Sequence, residues 1–214
     1  MHVVITGASR GIGRALHDLY TARGERVTGT GRAAPGMAQL DVTRPEDHSR
    51  LAAEIGDRPV DLLICNAGIY PDKGQTLGDG FAPDLWTETF ATNVTGVFLT
   101  VQALLPNLRR ASAARIAILS SRLGSQDQAA GGSYAYRASK AAALNLGRNL
   151  AVDLAPSDIA VGIYHPGWVR TDMGGPQGEI GIDEAARGLI AEFHRLSPET
   201  SGCFRSWNGR DLPF

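Results

Sequence analysis

Cysteine is nearly absent from these 214 residues, with Cys65 inside an apolar run and Cys203 near the end of the chain, so stability does not come from a disulfide framework. Neither charge sign dominates: 21 Lys and Arg stand against 22 Asp and Glu, the net charge is −1, and the basic residues are scattered. That balance argues against nucleic acid or an anionic membrane as the main partner and favours a small ligand. No apolar run reaches the length of a membrane span. The five histidines, His2, His17, His48, His165 and His194, show no ligand spacing with one another or with the cysteines, and no metal site is expected. The first strand-like run starts at residue 2, leaving no room for a signal peptide, which predicts a cytoplasmic protein. There is no internal repeat, low-complexity tract or linker. With 43% hydrophobic and 20% charged residues, the chain suits one compact domain over 1–214.

What is present is alternation. Short β-branched runs, "HVVITG", "RVTGTG", "VDLLICNAG", "ARIAILSS" and "VGIYHPG", read as strands. Helical stretches are expected at 11–23, 44–56, 83–111, 134–154 and 183–196. Strands apolar on both faces and separated by helices predict an α/β, doubly wound parallel sheet with helices on both faces. The link from "RVTGTG" to "MAQLDVT" is too short for a crossover helix, so a turn or vestigial helix is expected there. The Gly-rich stretches 124–132 and 174–181 read as loops over a site.

Two local patterns carry chemistry. After the first strand, "TGASRGIGRAL" places Gly7, Gly11 and Gly13 where the chain turns and opens a helix. Free N–H groups and the positive end of the helix dipole there suit a pyrophosphate, and an ordinary tight turn is the other reading. Further on, "SYAYRASKAAALN" sets Tyr136 four residues before Lys140, on one helical face, while Tyr134 is rotated by roughly 200° from Tyr136. An ammonium beside a phenol favours the phenolate, which would make Tyr136 a usable acid or base. A packed ring and a solvated charge fit the same spacing.

Taken together, T-G-x-x-x-G-x-G at 6–13, "NAG" at 66–68, Asn93 in "NVTG", Ser120 and Ser121, Y-x-x-x-K at 136–140 and "PGWVRT" at 166–171 resemble the short-chain dehydrogenase/reductase family. The resemblance spans nearly the whole chain and implies a single Rossmann-type domain. The wording around these motifs is most similar to C-factor and sniffer-type carbonyl reductases. The resemblance makes Tyr136 the proton donor to a carbonyl, Lys140 the residue that depresses its pKa and bonds the nicotinamide ribose, and Ser121 the holder of the substrate oxygen, with Ser120 and Ser125 as rivals. Asn93 would complete the set by holding a relay water, through a local helix irregularity. Fifteen positions separate Ser121 from Tyr136, more than the family commonly shows, which implies an enlarged loop.

For the cofactor, the resemblance assigns the turn residues Gly7, Ser9, Arg10, Gly11, Ile12 and Gly13. It also assigns Asn66, Ala67 and Gly68 beside the adenosine, Asp41 and Val42 at the adenine, and Pro166, Gly167, Val169 and Thr171 at the nicotinamide. A cap on the next helix is the other reading of Asp41. No acid occurs between Glu25 and Asp41, whereas Arg32 follows the second strand and Arg10 sits in the turn, which favours the 2′-phosphate of NADP(H) over NAD(H). The implied activity is reduction of a small aldehyde or ketone. A nucleotide-binding signalling protein is the alternative, and an intact phenol set argues against it. Cys65 and His165 read as structural. Substrate loops are implied at 72–82, 122–133 and 172–182, and the glycine-rich "DMGGPQGEIG" is expected to be mobile over an open, permissive site. A homo-oligomer, dimer or tetramer, is implied, with helices 83–111 and 134–154 as candidate surfaces.

Overall fold

In the computed structural model the chain folds as β1 (His2–Ile5), α1 (Gly11–Ala22), β2 (Arg26–Gly31), β3 (Ala38–Gln39), α2 (Pro45–Ile55) and β4 (Leu62–Cys65). There follow α3 (Pro83–Phe90), α4 (Gly96–Leu108), β5 (Arg115–Leu119), α5 (Tyr134–Leu154), β6 (Ala160–His165), α6 (Ile182–Arg195) and β7 (Phe204–Ser206). The structure describes the backbone of residues 1–214 and every side chain except those of Asp79 and Gln128.

All seven strands are parallel, in the order β3-β2-β1-β4-β5-β6-β7. β1, β4 and β6 are buried along their whole length, which is why they read as continuous apolar runs. Alternate residues feed two cores. Val4, Leu63, Ile116 and Val161 meet α2, α4 and α5 on one face, while Val3, Leu62, Ala117 and Tyr164 meet α1 and α6 on the other. This is the expected doubly wound sheet. Strand order reverses between β1 and β4, and the crevice outside their carboxyl ends is where such sheets bind ligands.

Two details depart from the sequence reading and a third agrees with it. The stretch 83–111 is not one helix: a π-helical turn, Ala91–Thr95, separates α3 from α4. β3 has two residues and β7 has three, too few to announce themselves by periodicity. Residues 32–37 form the turn expected before β3, with no helix in it.

Candidate active site

The glycine turn is fixed to the end of β4. Thr6 Oγ1 accepts from the N–H groups of Asn66 (3.0 Å) and Ala67 (3.1 Å), and Asn66 Nδ2 donates to the carbonyls of Thr6 and Gly7, both at 2.9 Å. Gly7 has φ +66°, and a Cβ there would lie 2.9 Å from Ala67 Cα. At Gly13 a side chain would strike the Gly7 carbonyl and the Asn66 amide. Small residues are therefore required for the turn to close on β4. Helix α1 opens from an extended Arg10 with no side chain capping its N-terminus. Its first N–H groups and its dipole remain available to an anion, and in this respect the turn fits a dinucleotide pyrophosphate.

A cleft of about 290 Å³ lies above this turn. Gly7, Ser9, Arg10, Gly11, Ile12, Gly13, Arg32, Asp41, Val42, Asn66, Ala67, Gly68, Tyr136, Lys140, Pro166 and Thr171 all border it, so the fold gathers most of the assigned residues. Gly167 and Val169 do not: Gly167 packs on Ile180 and Trp207, and Val169 is buried in a bridge to Ile180. Asp41 does not cap α2, whose N-cap position is Arg44 with no side chain bonded to the helix end. It borders the cleft, and its Oδ1 accepts from Thr43 N and Oγ1 on the way into α2. Arg32 borders the cleft near Asp41, whereas Arg10 reaches across its mouth to Asp172 at 3.1 Å, both side chains exposed.

Tyr136 is buried and Tyr134 is exposed with its ring edge-on to Phe81, as their positions on the helix dictate. The Ser121 hydroxyl, which accepts from Leu123 N at 3.1 Å and does not border the cleft, lies close enough to the Tyr136 phenol to favour its ionised form. Ser120 is spent on the Lys140 carbonyl at 3.0 Å, and Ser125 caps a short 3-10 turn through Asp127 N. Of the three serines, Ser121 is the one beside the phenol. Two 3-10 turns, Arg122–Gly124 and Gln126–Gln128, take up the added length before α5.

The expected depression of the phenol pKa by Lys140 is not what the chain's own atoms produce. Lys140 Nζ lies 5.6 Å from the Tyr136 ring centroid and donates to the Leu119 carbonyl at 2.9 Å. Burial raises the phenol above its ordinary value; the Ser121 hydroxyl opposes this, and Tyr70 and Asp72 add to it. Burial also pushes Lys140 down to about 8. Desolvation sets the direction of both shifts.

Asn93 sits in the π-helical turn and does not border the cleft. Its Oδ1 accepts from Ile69 N (2.9 Å), and its Nδ2 donates to Ile69 O and Ser139 Oγ, both at 3.0 Å. With both amide hydrogens committed, its side chain braces the segment after β4 against α5 instead of presenting the amide to a water. The sequence reading did not name Tyr70, whose ring stacks on Tyr136 with centroids 3.9 Å apart, or Asp72, which is buried beneath the start of α5. No local pattern marks either one, because each meets its partner across the fold.

The segment expected to be mobile is tied from several sides. Lys73 Nζ donates to the carbonyls of Met173 and Gly174, Trp168 Nε1 donates to Gly174 O, and Arg170 Nη1 to Gly178 O, each at 2.9 Å. Among the described residues no cluster of His, Cys, Asp and Glu is arranged to hold a metal ion, and no helix is long and apolar enough to cross a membrane.

Comparison with known proteins agrees with this geometry. A family model described as short chain dehydrogenase matches residues 1–179. The C-signal protein of Myxococcus xanthus is 38% identical over 164 residues, covering 76% of this chain and 98% of its own. Among solved structures, NADPH-bound carbonyl reductase from chicken fatty liver superposes with a TM-score of 0.91 at 29% identity, covering 100% of this chain and 98% of its own. Carbonyl reductase Sniffer of D. melanogaster gives 0.93 at 26% identity, covering 100% and 99%. The match runs through the phosphate turn, the phenol helix and the sheet alike, and the chain belongs to the short-chain dehydrogenase family, with relatives of the C-signal and Sniffer kind.

Proposed function

We propose that this oxidoreductase is an NADPH-dependent carbonyl reductase that converts a small aldehyde or ketone to the alcohol, with Tyr136 as proton donor. The observation that carries the reading is the buried Tyr136 phenol, beside Ser121 and backed by Lys140 at the floor of a cleft whose rim is an uncapped glycine-turn helix. Arg32 at the cleft, with no acid in β2, supports NADPH, as does the NADPH-bound carbonyl reductase among the structural relatives. The partner is a small molecule, and neither nucleic acid nor a membrane is assigned. A signalling role, which the C-signal relative brings to mind, is less favoured because a nucleotide sensor has no use for a phenol placed for proton transfer.

The cofactor, when bound, supplies the hydride. The chain holds the carbonyl oxygen between the Ser121 and Tyr136 hydroxyls, so that charge developing on it meets donors already in place. Burial keeps the phenol protonated, ready to donate. Once the proton has left, the Lys140 ammonium, charged at neutral pH, stabilises the phenolate. The test is NADPH oxidation over a panel of aldehydes, ketones and quinones. Tyr136→Phe is expected to lower kcat by about a thousandfold with NADPH affinity nearly unchanged, and Tyr134→Phe to change neither. Equal losses from the two substitutions would reject the assignment.

A further inference from the structure

Helix α5 carries both Tyr136 and Lys140, yet it begins without a cap of its own. Ser133 stands at the N-cap position in the left-handed region, φ +49°, and its hydroxyl makes no bond to the helix. That hydroxyl instead meets Tyr70 Oη at 2.5 Å. The open N–H groups are taken from far away in sequence: Asp72 Oδ2 accepts from Ala135 N at 2.8 Å and Tyr136 N at 3.3 Å. Asp72 is 0% exposed, and among the described residues its Oδ1 has no hydrogen-bond partner. Two residues earlier, the Tyr70 ring lies on the Tyr136 ring at an interplanar angle of 17°.

A buried carboxylate oxygen left without a partner is costly, and Ser133 itself is a residue type that caps well. Capping alone therefore does not account for Asp72. What it adds is a negative charge at the first turn of the helix, directly under the phenol's own backbone, together with a neighbour that covers the phenol's ring.

We propose that Asp72 is a positioning residue for Tyr136: from the segment after β4 it anchors the first turn of α5, and with Tyr70 it fixes the place and the protonation of the phenol. This rests on the reading of Tyr136 as proton donor. The groups facing the phenol are Ser121 from the end of β5, Tyr70 and Asp72 from the segment after β4, and Lys140 from α5 itself. The Asp72 charge opposes phenolate formation, whereas the Ser121 hydroxyl favours it.

Asp72→Asn leaves an amide oxygen to accept both N–H bonds but removes the charge; Asp72→Ala removes both. Three quantities are measured: kcat and KM for NADPH oxidation with a small ketone, NADPH affinity by fluorescence, and a phenolate titration read from the absorbance in the first milliseconds after alkaline pH jumps, before the fold is lost. The Tyr136 component of the titration is isolated by subtracting the Tyr136→Phe protein. Asp72→Ala is expected to lower kcat by about ten- to a hundredfold with NADPH affinity within about threefold. Asp72→Asn is expected to recover most of that kcat while moving the phenolate titration down by about one pH unit. A phenolate titration in Asp72→Asn that coincides with the unsubstituted protein overturns the proposal, and so does full kcat in Asp72→Ala. If Asp72→Ala does not fold, the titration of Asp72→Asn decides alone. Undiminished turnover in Tyr136→Phe would sink the proton-donor reading, while the titration would still report whether Asp72 acts on the phenol.

Discussion

Arg32 and Arg10 both border the cleft, but only Arg10 has an acidic partner across its mouth, Asp172 at 3.1 Å. A 2′-phosphate drawing on Arg10 must compete with that carboxylate, whereas Arg32 makes no salt bridge among the described residues and feels the charge of Asp41. Arg32 is therefore the better discriminator. Arg32→Ala is expected to raise KM for NADPH by about ten- to a hundredfold and KM for NADH by less than about threefold, in steady-state assays at fixed substrate. An equal rise for both cofactors would remove Arg32 from the phosphate site. At this scale the sequence was legible wherever chemistry follows local spacing. Tyr136, Lys140 and the turn glycines stand where a helix and a βα turn place them, and Ser121 follows at the end of β5. Tyr70, Asp72 and the bracing role of Asn93 were not legible. Tyr70 meets Ser133 63 positions away, Asp72 meets Ala135 and Tyr136 63 and 64 positions away, and Asn93 meets Ile69 24 positions away, separations that only the folded chain closes.

Elements with a full hydrophobic period were equally plain: α5 spans the expected residues, and the buried strands are the apolar runs. The π-helical turn at Ala91–Thr95 was foreshadowed only as an irregularity near Asn93, since one wider turn leaves the apolar pattern of 83–108 almost unchanged. The ties on the loop after Thr171 were not legible either. Its glycines promise freedom, but the bonds that hold it come from Lys73, Trp168 and Arg170, and the Lys73 bonds tie two of the substrate loops together. Lys73→Ala removes the tie without touching Ser121, Tyr136 or Lys140. It is expected to free residues 172–175 by about 1 kcal/mol, seen as roughly fivefold faster amide exchange there. Substrate KM is expected to rise while kcat holds within about twofold. Unchanged exchange in that segment would show that Trp168 and Arg170 suffice.

Across the whole molecule, burial sets how stability responds to pH. His165 is pushed down to about 4 by burial, with Arg122 and Arg210 adding to it, and burial also lowers His2 and His194. Between pH 4 and 6.5 the unfolded chain thus binds protons that the folded chain does not, so stability rises with pH through that window. His165 alone accounts for about 3 kcal/mol of this rise. On the alkaline side Tyr20, Tyr136 and Tyr164 are raised by burial, and Cys65 is pushed up to about 12. These groups stay neutral in the fold, and their stabilisation is lost as pH climbs past their unfolded values of 9.0 and 10.0. Lys140 runs the other way: its buried charge is relieved between about 8 and 10.5, which delays the alkaline decline without cancelling it, since one group is set against four. The melting temperature is therefore expected to climb from pH 4 to 6.5, to hold to about pH 9 and to fall beyond it. His165→Leu keeps an apolar side chain at a buried position whose Nδ1 has no partner among the described residues. That substitution is expected to flatten the acid limb by most of its height while leaving the alkaline limb in place, measured by thermal unfolding across the pH range. An acid limb of undiminished steepness in His165→Leu would move the cause to the carboxylates.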